Sequence, residues 1–485
     1  MRVLVVIDDT SPKSEVISDV IGSKGFSEVV VKRRTLGERL VESIKKCYSD
    51  ATCITVKSPY EFNDLLKKIV KLSQETRVLH FFSNYIISDE EKCFLTLRKL
   101  EFVDTTLAAL TDNKIAAVLC PDVSSYESFL SSVINDDGRT APGSKNKVSH
   151  HTIIDGLIDI GKVENFIQCI TGNFDARYFN SLHGDEYTLV KSSTNIKKIK
   201  AEYTFWHLLP EDMQPWFVEP YNYVEDGTKA SYSMERLHMT DLAIKWVHGS
   251  IDEEEFSIIL DKYFYFFAHR HERQVTKEEY DQIADELYVK KVVSRIDDLK
   301  SKPEFKKMAN LLDIQGTLNI DEMVNRYFEL KKRLEANAHL KSISVIGHGD
   351  PCFSNAMYNK STRTLKFIDP KGALTEEELW TNPYYDIAKL SHSICGRYDF
   401  FNNGLFDISI DENFGTVLNI DFDNKKYIKM FHKKLEENGY DYRLVRLYEA
   451  SLFLSMLPLH IDNPRKVYGF ILNANNILKE IEDNV

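Results

Sequence analysis

The chain has 485 residues, 43% of them hydrophobic and 28% charged, an ordinary globular composition with length for two or three cores. A formal net charge of -12 and a pI near 5.7 argue against nonspecific nucleic-acid binding and against attraction to an anionic membrane surface. No stretch approaches the roughly 18 apolar residues a bilayer span needs, and the start (Met1 to Ile7) lacks a signal peptide's basic region and long apolar core, so a cytoplasmic protein is expected. The seven cysteines, Cys47, Cys53, Cys93, Cys120, Cys169, Cys352 and Cys395, are scattered without a CxxC and read as reduced thiols.

In chain order, Arg2 to Ile7 reads as a buried strand ending in the polar turn Asp8-Asp9-Thr10-Ser11-Pro12. Val29 to Val31, Ala51 to Val56, Arg77 to Phe82 and Ile115 to Leu119 read as further short strands. Gly37 to Cys47 and Tyr60 to Leu72 read as helices between them. This alternation predicts an α/β domain with a largely parallel sheet over residues 1–132. Polar groups at the carboxyl ends of such strands commonly line a crevice, which makes Asp8, Asp9, Ser83, Asn84 and Asp89 candidates. The layout is faintly similar to Rossmann-like and sugar-nucleotidyltransferase domains, with Thr35 to Ile44 matching the helix after the first loop. Those enzymes carry a Gly-rich loop after the first strand, and Asp8 to Lys13 contains no glycine. Asp8-Asp9-Thr10 also misses the Asp-x-Asp-x-Thr spacing of a haloacid-dehalogenase phosphatase. The domain is therefore expected to serve recognition or assembly.

Residues 133–150 read as a linker, since Ser131 to Val148 mixes Gly, Pro, Ser and charge without periodicity. His150 and His151 follow as a solvated helix start. A short helix is predicted over Ile153 to Asn165, then a strand over Phe166 to Ile170 and a turn at Gly172 and Asn173. A hairpin of Arg177 to Leu182 and Tyr187 to Ser192 turns at His183-Gly184-Asp185-Glu186 and ends on Lys191. The next helix, Ile196 to Leu209, carries Glu202. Pro220 to Val224 and Ala230 to Glu235 complete the strands, and the chain from Leu242 to Leu340 is mainly helical. Domain bounds of 151–237 and 238–485 follow for a smaller and a larger, helical lobe.

Ser344 to Gly372 is the stretch the chain is organised around. Asp350, Asn355 and Asp369 each stand where an apolar strand-like run meets a polar turn. Phosphoryl transfer from a magnesium nucleotide needs this set: a carboxylate to orient and deprotonate the attacking hydroxyl, and an amide and a second carboxylate as oxygen ligands for magnesium. Thr375 to Ser393 follows, with Asp386 set to cap or brace a helix and Trp380, Tyr384, Tyr385, Tyr398, Phe400 and Phe401 clustered nearby. Such aromatics read first as core and second as a cage for a quaternary ammonium.

His348-Gly349-Asp350, Asn355 and Ile368-Asp369-Pro370 resemble the catalytic segment of the aminoglycoside phosphotransferase and choline kinase family, whose fold is protein-kinase-like with two lobes. The resemblance spans roughly residues 160 to 460. It implies Asp350 as catalytic base, Asn355 and Asp369 as magnesium ligands, and a Lys191–Glu202 ion pair at the ATP phosphates. It further implies Gly172 and Asn173 over the phosphates, a hinge at Met234, Glu235 and Leu237 against the adenine, and His348 and Asp386 as supports of the loop.

The expected fold class is thus an α/β N-terminal domain joined to an α+β, protein-kinase-like two-lobed domain. The expected activity is ATP- and magnesium (Mg2+)-dependent phosphorylation of a small-molecule hydroxyl, on a sugar, polyol or amino alcohol. Some bacterial capsule proteins carry a similar segment beside a nucleotidyltransferase-like domain, which suggests a surface-polysaccharide setting. The alternatives are a bifunctional kinase/nucleotidyltransferase and a nucleotide-binding pseudokinase assembly protein. A homo-oligomer stays open, and no nucleic-acid partner is expected.

Overall fold

Two units make up the chain in the computed structural model, Met1–Gly172 and Asn173–Val485. The structure describes residues 2–31, 33–69, 76–133, 148, 150–170, 180–184, 187–314, 318–412 and 415–483. Gly172 and Asn173 lie outside these residues, as does most of the expected linker.

In the first unit the apolar run Arg2–Asp8 is an inner strand, hydrogen-bonded in parallel to Thr52–Val56 on one side and Thr76–Phe82 on the other. The six-stranded sheet continues through Lys114–Cys120, Leu107–Thr111 and His150–Ile153. The expectation of a largely parallel sheet fails at the fourth strand, since Lys114–Cys120 runs antiparallel to both its neighbours. The cause is a two-residue turn. Asp112 and Asn113 both adopt positive φ (50° and 60°), the conformation of a type I′ hairpin, and reverse the chain.

Residues 150–170 also differ from expectation. His150 and His151 open an edge strand, not a helix. Leu157–Asp159 pairs with Tyr85–Ile87. The predicted strand at Phe166 to Ile170 lies in the helix Val163–Ile170, where Phe166, Cys169 and Ile170 are buried at helical spacing and Phe166 meets Phe26 edge-on at 6.4 Å. This stretch therefore belongs to the first unit, whose end falls near residue 172 and not at 132.

The strand-end polar residues take part in internal hydrogen bonds. Asp8 Oδ1 accepts from the backbone and hydroxyl of Thr10, and His80 Nε2 lies 3.2 Å from Asp8 Oδ2. Asp9 accepts from the backbone and hydroxyl of Ser27 and from the Ser83 hydroxyl. Ser11 donates to Asn84, which donates to Asp159. Asp89 caps the helix Glu90–Leu97 through the Lys92 N–H. Burial pushes the Asp9 carboxyl above its ordinary value, against the pull of its serine donors.

The second unit has a four-stranded antiparallel sheet ordered Asn180–Gly184, Thr188–Ser193, Ala230–Glu235, Pro220–Glu225. The helix Ile196–Leu208 packs on it, capped by Asn195, with Ile199, Glu202 and Phe205 on its buried face. Beyond residue 240 the unit is helical around one large core, to which Trp246, Tyr263, Tyr288, Phe353, Phe367, Tyr448 and Phe470 contribute. Tyr384, Tyr385, Tyr398, Phe400 and Phe401 are in this core, the first of the two roles expected of them. A small sheet with a small helix-bearing face, followed by a helical lobe, is the protein-kinase-like arrangement.

Gly25 tests these hydrogen bonds of the first unit. A Cβ added there would stand 2.0 Å from Asp9 Oδ2, inside the hydrogen bonds that satisfy this buried carboxyl. Gly25→Ala is predicted to lower stability by about 1–3 kcal/mol in denaturant unfolding, the usual cost of overpacking. An unchanged midpoint would mean that Asp9 is free to move and the network is loose.

Candidate active site

The site is assembled from a loop, a hairpin, a strand and two helices of the second unit. The strand Ile343–Ile346 pairs with Glu272–Gln274 and Trp380–Thr381, then releases the chain at Gly347. Gly349 has φ +82°, a left-handed turn that costs a glycine little. Asp350 follows, its side chain 39% exposed.

Asp386, on the helix Pro383–Ile394, holds this turn. Its carboxylate accepts the backbone N–H of His348 at 2.9 Å and of Gly349 at 2.8 Å, and Arg270 Nη1 lies 3.2 Å away. Asp386 is fully buried, and Arg270 nearly so, with its Nη2 also donating to the Pro383 carbonyl. His348 is fixed at both ring nitrogens. Nδ1 lies 3.0 Å from the Asp350 N–H and accepts it; Nε2 lies 3.0 Å from the Ile368 carbonyl and donates to it. The two bonds together require the proton on Nε2. Burial lowers the His348 pKa, against the pull of Asp386 and Asp350, in keeping with a neutral ring. The ring also stacks on Phe217, with centroids 5.7 Å apart.

After Asp350 a single 3-10 turn, Phe353–Asn355, leads into the hairpin Ala356–Asn359 and Thr364–Phe367. The Asn355 amide donates to the Asp350 carbonyl at 2.9 Å, while the Asn355 carbonyl accepts the Ile368 N–H at 3.0 Å. These bonds bring Asn355 beside the Ile368-Asp369 step. Asp369 itself has φ +52°, unusual for a residue with a side chain, and is 45% exposed. Gly372 then passes so close to the Glu202 helix that a Cβ would meet Ala201 C at 2.8 Å.

Lys191 links these parts. Its Nζ lies 2.7 Å from Glu202 Oε2 and 2.8 Å from Asp369 Oδ1, and the Lys191 and Glu202 side chains are 6% and 2% exposed. Tyr232, opposite Lys191 in the sheet, donates to Glu202 Oε2 at 3.1 Å. Burial works against the Lys191 ammonium, but Asp369 and Glu202 outweigh it and raise the pKa. Lys191, Glu202, Asp369, Asn355, Asp350, His348 and Asp386 thus come together as one constellation. Met234 sits opposite Leu189 in the sheet and packs near Ile199 and Tyr232. Glu235 and Leu237 line a cleft of about 290 Å³ with Trp206, Phe217 and Lys366.

The donor chemistry suits a hard divalent cation. Asn355 and Asp369 offer amide and carboxylate oxygens, and magnesium takes one or two carboxylates with water and phosphate oxygens making up the rest. Among the described residues no group of three His, Cys, Asp or Glu side chains converges as it would for a protein-only metal cage.

One residue of the site went unmarked in the sequence. Lys389, one turn beyond Asp386, brings Nζ to 3.0 Å from Asp350 Oδ1. Its signal was the i,i+3 spacing from Asp386, which puts both on one helix face.

No family model matches the chain, and no curated protein matches it. Among solved structures, it is similar to a thermostable mutant of aminoglycoside phosphotransferase APH(4)-Ia in its apo form, at 11% identity and TM-score 0.36 over 63% of this chain and 94% of that one. A ternary complex of a further variant with AMP-PNP and hygromycin B matches at 10% and 0.38 over 65% and 98%. Choline kinase from Cryptosporidium parvum Iowa II matches at 12% and 0.29 over 64% and 87%. Likenesses this loose carry no function, and the reading below rests on the site's own geometry.

Asp386→Ala would leave the Arg270 guanidinium buried without its partner and two loop N–H groups without acceptors. Breaking a buried pair from one side costs about 3–5 kcal/mol. Denaturant unfolding of the full chain is expected to show a loss of that size. A loss under about 1 kcal/mol would mean that water replaces the carboxylate and that Asp386 does not hold the loop.

Proposed function

We propose that this chain is a small-molecule kinase, transferring the γ-phosphoryl group of ATP to a hydroxyl of a sugar, polyol or amino alcohol. The observation that carries the reading is the convergence of Lys191, Glu202 and Asp369 within 2.8 Å contacts, beside a loop that presents Asp350 and Asn355.

The roles follow from the chemistry of each group. Lys191 is the cation for the nucleotide phosphates, and Glu202, itself held by Tyr232, keeps it aimed. Asn355 and Asp369 would hold Mg2+, which when bound neutralises charge on the phosphate oxygens. A bound nucleotide would offer Lys191 phosphate oxygens in place of its contact with Asp369. Asp350 orients the acceptor hydroxyl and accepts its proton as the oxygen–phosphorus bond forms. The bond from the γ-phosphorus to the bridging oxygen breaks, and ADP leaves with that electron pair. His348 is neutral and committed at both nitrogens, so it supports the loop and is not a base. Met234, Glu235 and Leu237 are proposed to border the adenine. Transfer is then a matter of alignment and electrostatics, as phosphoryl transfer demands.

Among the described residues of the N-terminal unit, Asp8 and Asp9 accept internal hydrogen bonds, and nothing there favours nucleotidyl transfer. The surface-polysaccharide setting gains no support from the fold or from the comparisons. No helix among the described residues is long and apolar enough to cross a membrane.

Mg-ATP consumption against a panel of sugars, polyols and amino alcohols tests the reading. Acceptor-dependent turnover is expected, falling by about 10²- to 10⁴-fold in Asp350→Asn, the usual contribution of a general base. Full turnover by Asp350→Asn on the acceptor would sink the assignment of the base. Tight Mg-ATP binding without turnover on any acceptor would favour a nucleotide-binding assembly protein.

A further inference from the structure

The helix Pro383–Ile394 reaches the loop twice. Asp386 holds the backbone at His348 and Gly349, and Lys389 holds the Asp350 side chain, with Nζ 3.0 Å from Oδ1. The pair is enclosed at its cationic end and open at its acidic end: the Lys389 side chain is 13% exposed, that of Asp350 39%. One carboxylate oxygen is therefore engaged from inside the protein while the group still faces solvent.

The other groups near Asp350 cannot take over this role. His348, in the loop itself, gives its one N–H to Ile368 and is neutral. His392, on the same helix as Lys389, is buried, and burial drives its pKa well below the ordinary value, leaving it uncharged. Asn355 donates to the Asp350 carbonyl, not to its carboxylate. Tyr385 is occupied by Lys291, whose Nζ donates to the phenol at 2.7 Å. Cys352 is a buried thiol with its pKa raised well above the ordinary value. Asp399, on the short helix Tyr398–Asn402, carries like charge, and burial pushes its carboxyl up to about 7. Asp386 is spent on the loop backbone and Arg270, and Asp369 on Lys191. Desolvation alone would raise the Asp350 carboxyl, yet it lies below its ordinary value, and Lys389 is the foremost of the groups that lower it.

We propose that Lys389 is a positioning residue for the catalytic carboxylate, gripping one oxygen of Asp350 so that the other meets the acceptor hydroxyl; this rests on the phosphotransfer reading above. A carboxylate paired in this way is a weak base. That suits a loose phosphoryl-transfer transition state, which asks the carboxylate chiefly to orient the hydroxyl and to take its proton late. The lysine also fixes the rotamer of a side chain that is 39% exposed.

The test compares steady-state consumption of Mg-ATP, with water and with the acceptor panel, by the full-length wild type, Lys389→Gln and Lys389→Arg. In Lys389→Gln kcat should fall about tenfold or more while KM for Mg-ATP stays within about twofold, and Lys389→Arg should restore most of kcat. Equal thermal midpoints for the three proteins would exclude misfolding as the cause. A Lys389→Gln kcat within about twofold of wild type, or a loss that Lys389→Arg does not restore, overturns the inference. A wild type that consumes Mg-ATP neither with water nor with any acceptor of the panel overturns the phosphotransfer reading and the catalytic use of the pair together, leaving only a structural ion pair.

Discussion

The buried carboxylate of Asp386 is the constraint on which the rest of the site depends. A glycine-containing turn has no intrinsic reason to hold one shape, and the His348 to Asp350 loop runs between a strand and a 3-10 turn with no ladder of its own. Asp386 supplies two acceptors to consecutive N–H groups and is itself neutralised by Arg270. Its burial makes this grip strong, since neither partner can exchange for water. From the gripped backbone the order propagates outward. His348 is pinned between the Asp350 N–H and the Ile368 carbonyl, which ties the loop to the start of the Asp369 turn. Asn355 repeats the tie with one bond in each direction. Asp350 and Asp369, nineteen positions apart in sequence, become parts of a single rigid element.

Lys191 then couples that element to the sheet. Its strand is fixed by pairing on both edges, and the helix carrying Glu202 buries Ile199 and Glu202 toward the same sheet while Phe205 joins the large core. A lysine of this kind would be costly to bury alone. Two carboxylates and the hydroxyl of Tyr232 make the burial tolerable. The close pass of Gly372 over Ala201, and the hydrogen bond from the Ala373 N–H to the Ala201 carbonyl, hold the Asp369 segment against that helix. The placement of Lys191 between Glu202 and Asp369 is thus set by packing, as preorganised electrostatics require.

The site was more legible in the sequence than the N-terminal unit, for a physical reason. Asp350, Asn355 and Asp369 lie within one local segment, so their spacing reports their geometry directly. Lys191 and Glu202 could be read from the order of strand and helix, and Asp386 from its step after the hairpin. Lys389 had only its spacing from Asp386 to mark it, since a lysine on a helix most often marks a solvated face and its partner lies 39 positions earlier. In the first unit the antiparallel fourth strand was in principle readable, since Asp112-Asn113 between two apolar runs is a hairpin signal. Residues 163–170 were harder. A short apolar run fits a strand or a buried helix equally, and only tertiary contact with Phe26 distinguishes the two.

The two units show how similar polar residues serve opposite ends. In the first, Asp8 and Asp9 are enclosed, and among the described residues serine and threonine hydroxyls, backbone N–H groups and a histidine bond to them. Such donors satisfy a buried carboxyl where it stands. In the second, Asp350 and Asp369 keep 39% and 45% of their side chains exposed, and each is met by a lysine at or below 3.0 Å. A lysine ammonium is a mobile point charge with three donors, able to share a carboxylate and then turn to a phosphate oxygen. An exposed acid met by an enclosed cation is thus the feature of Asp350 and Asp369 that the enclosed Asp8 and Asp9 do not share.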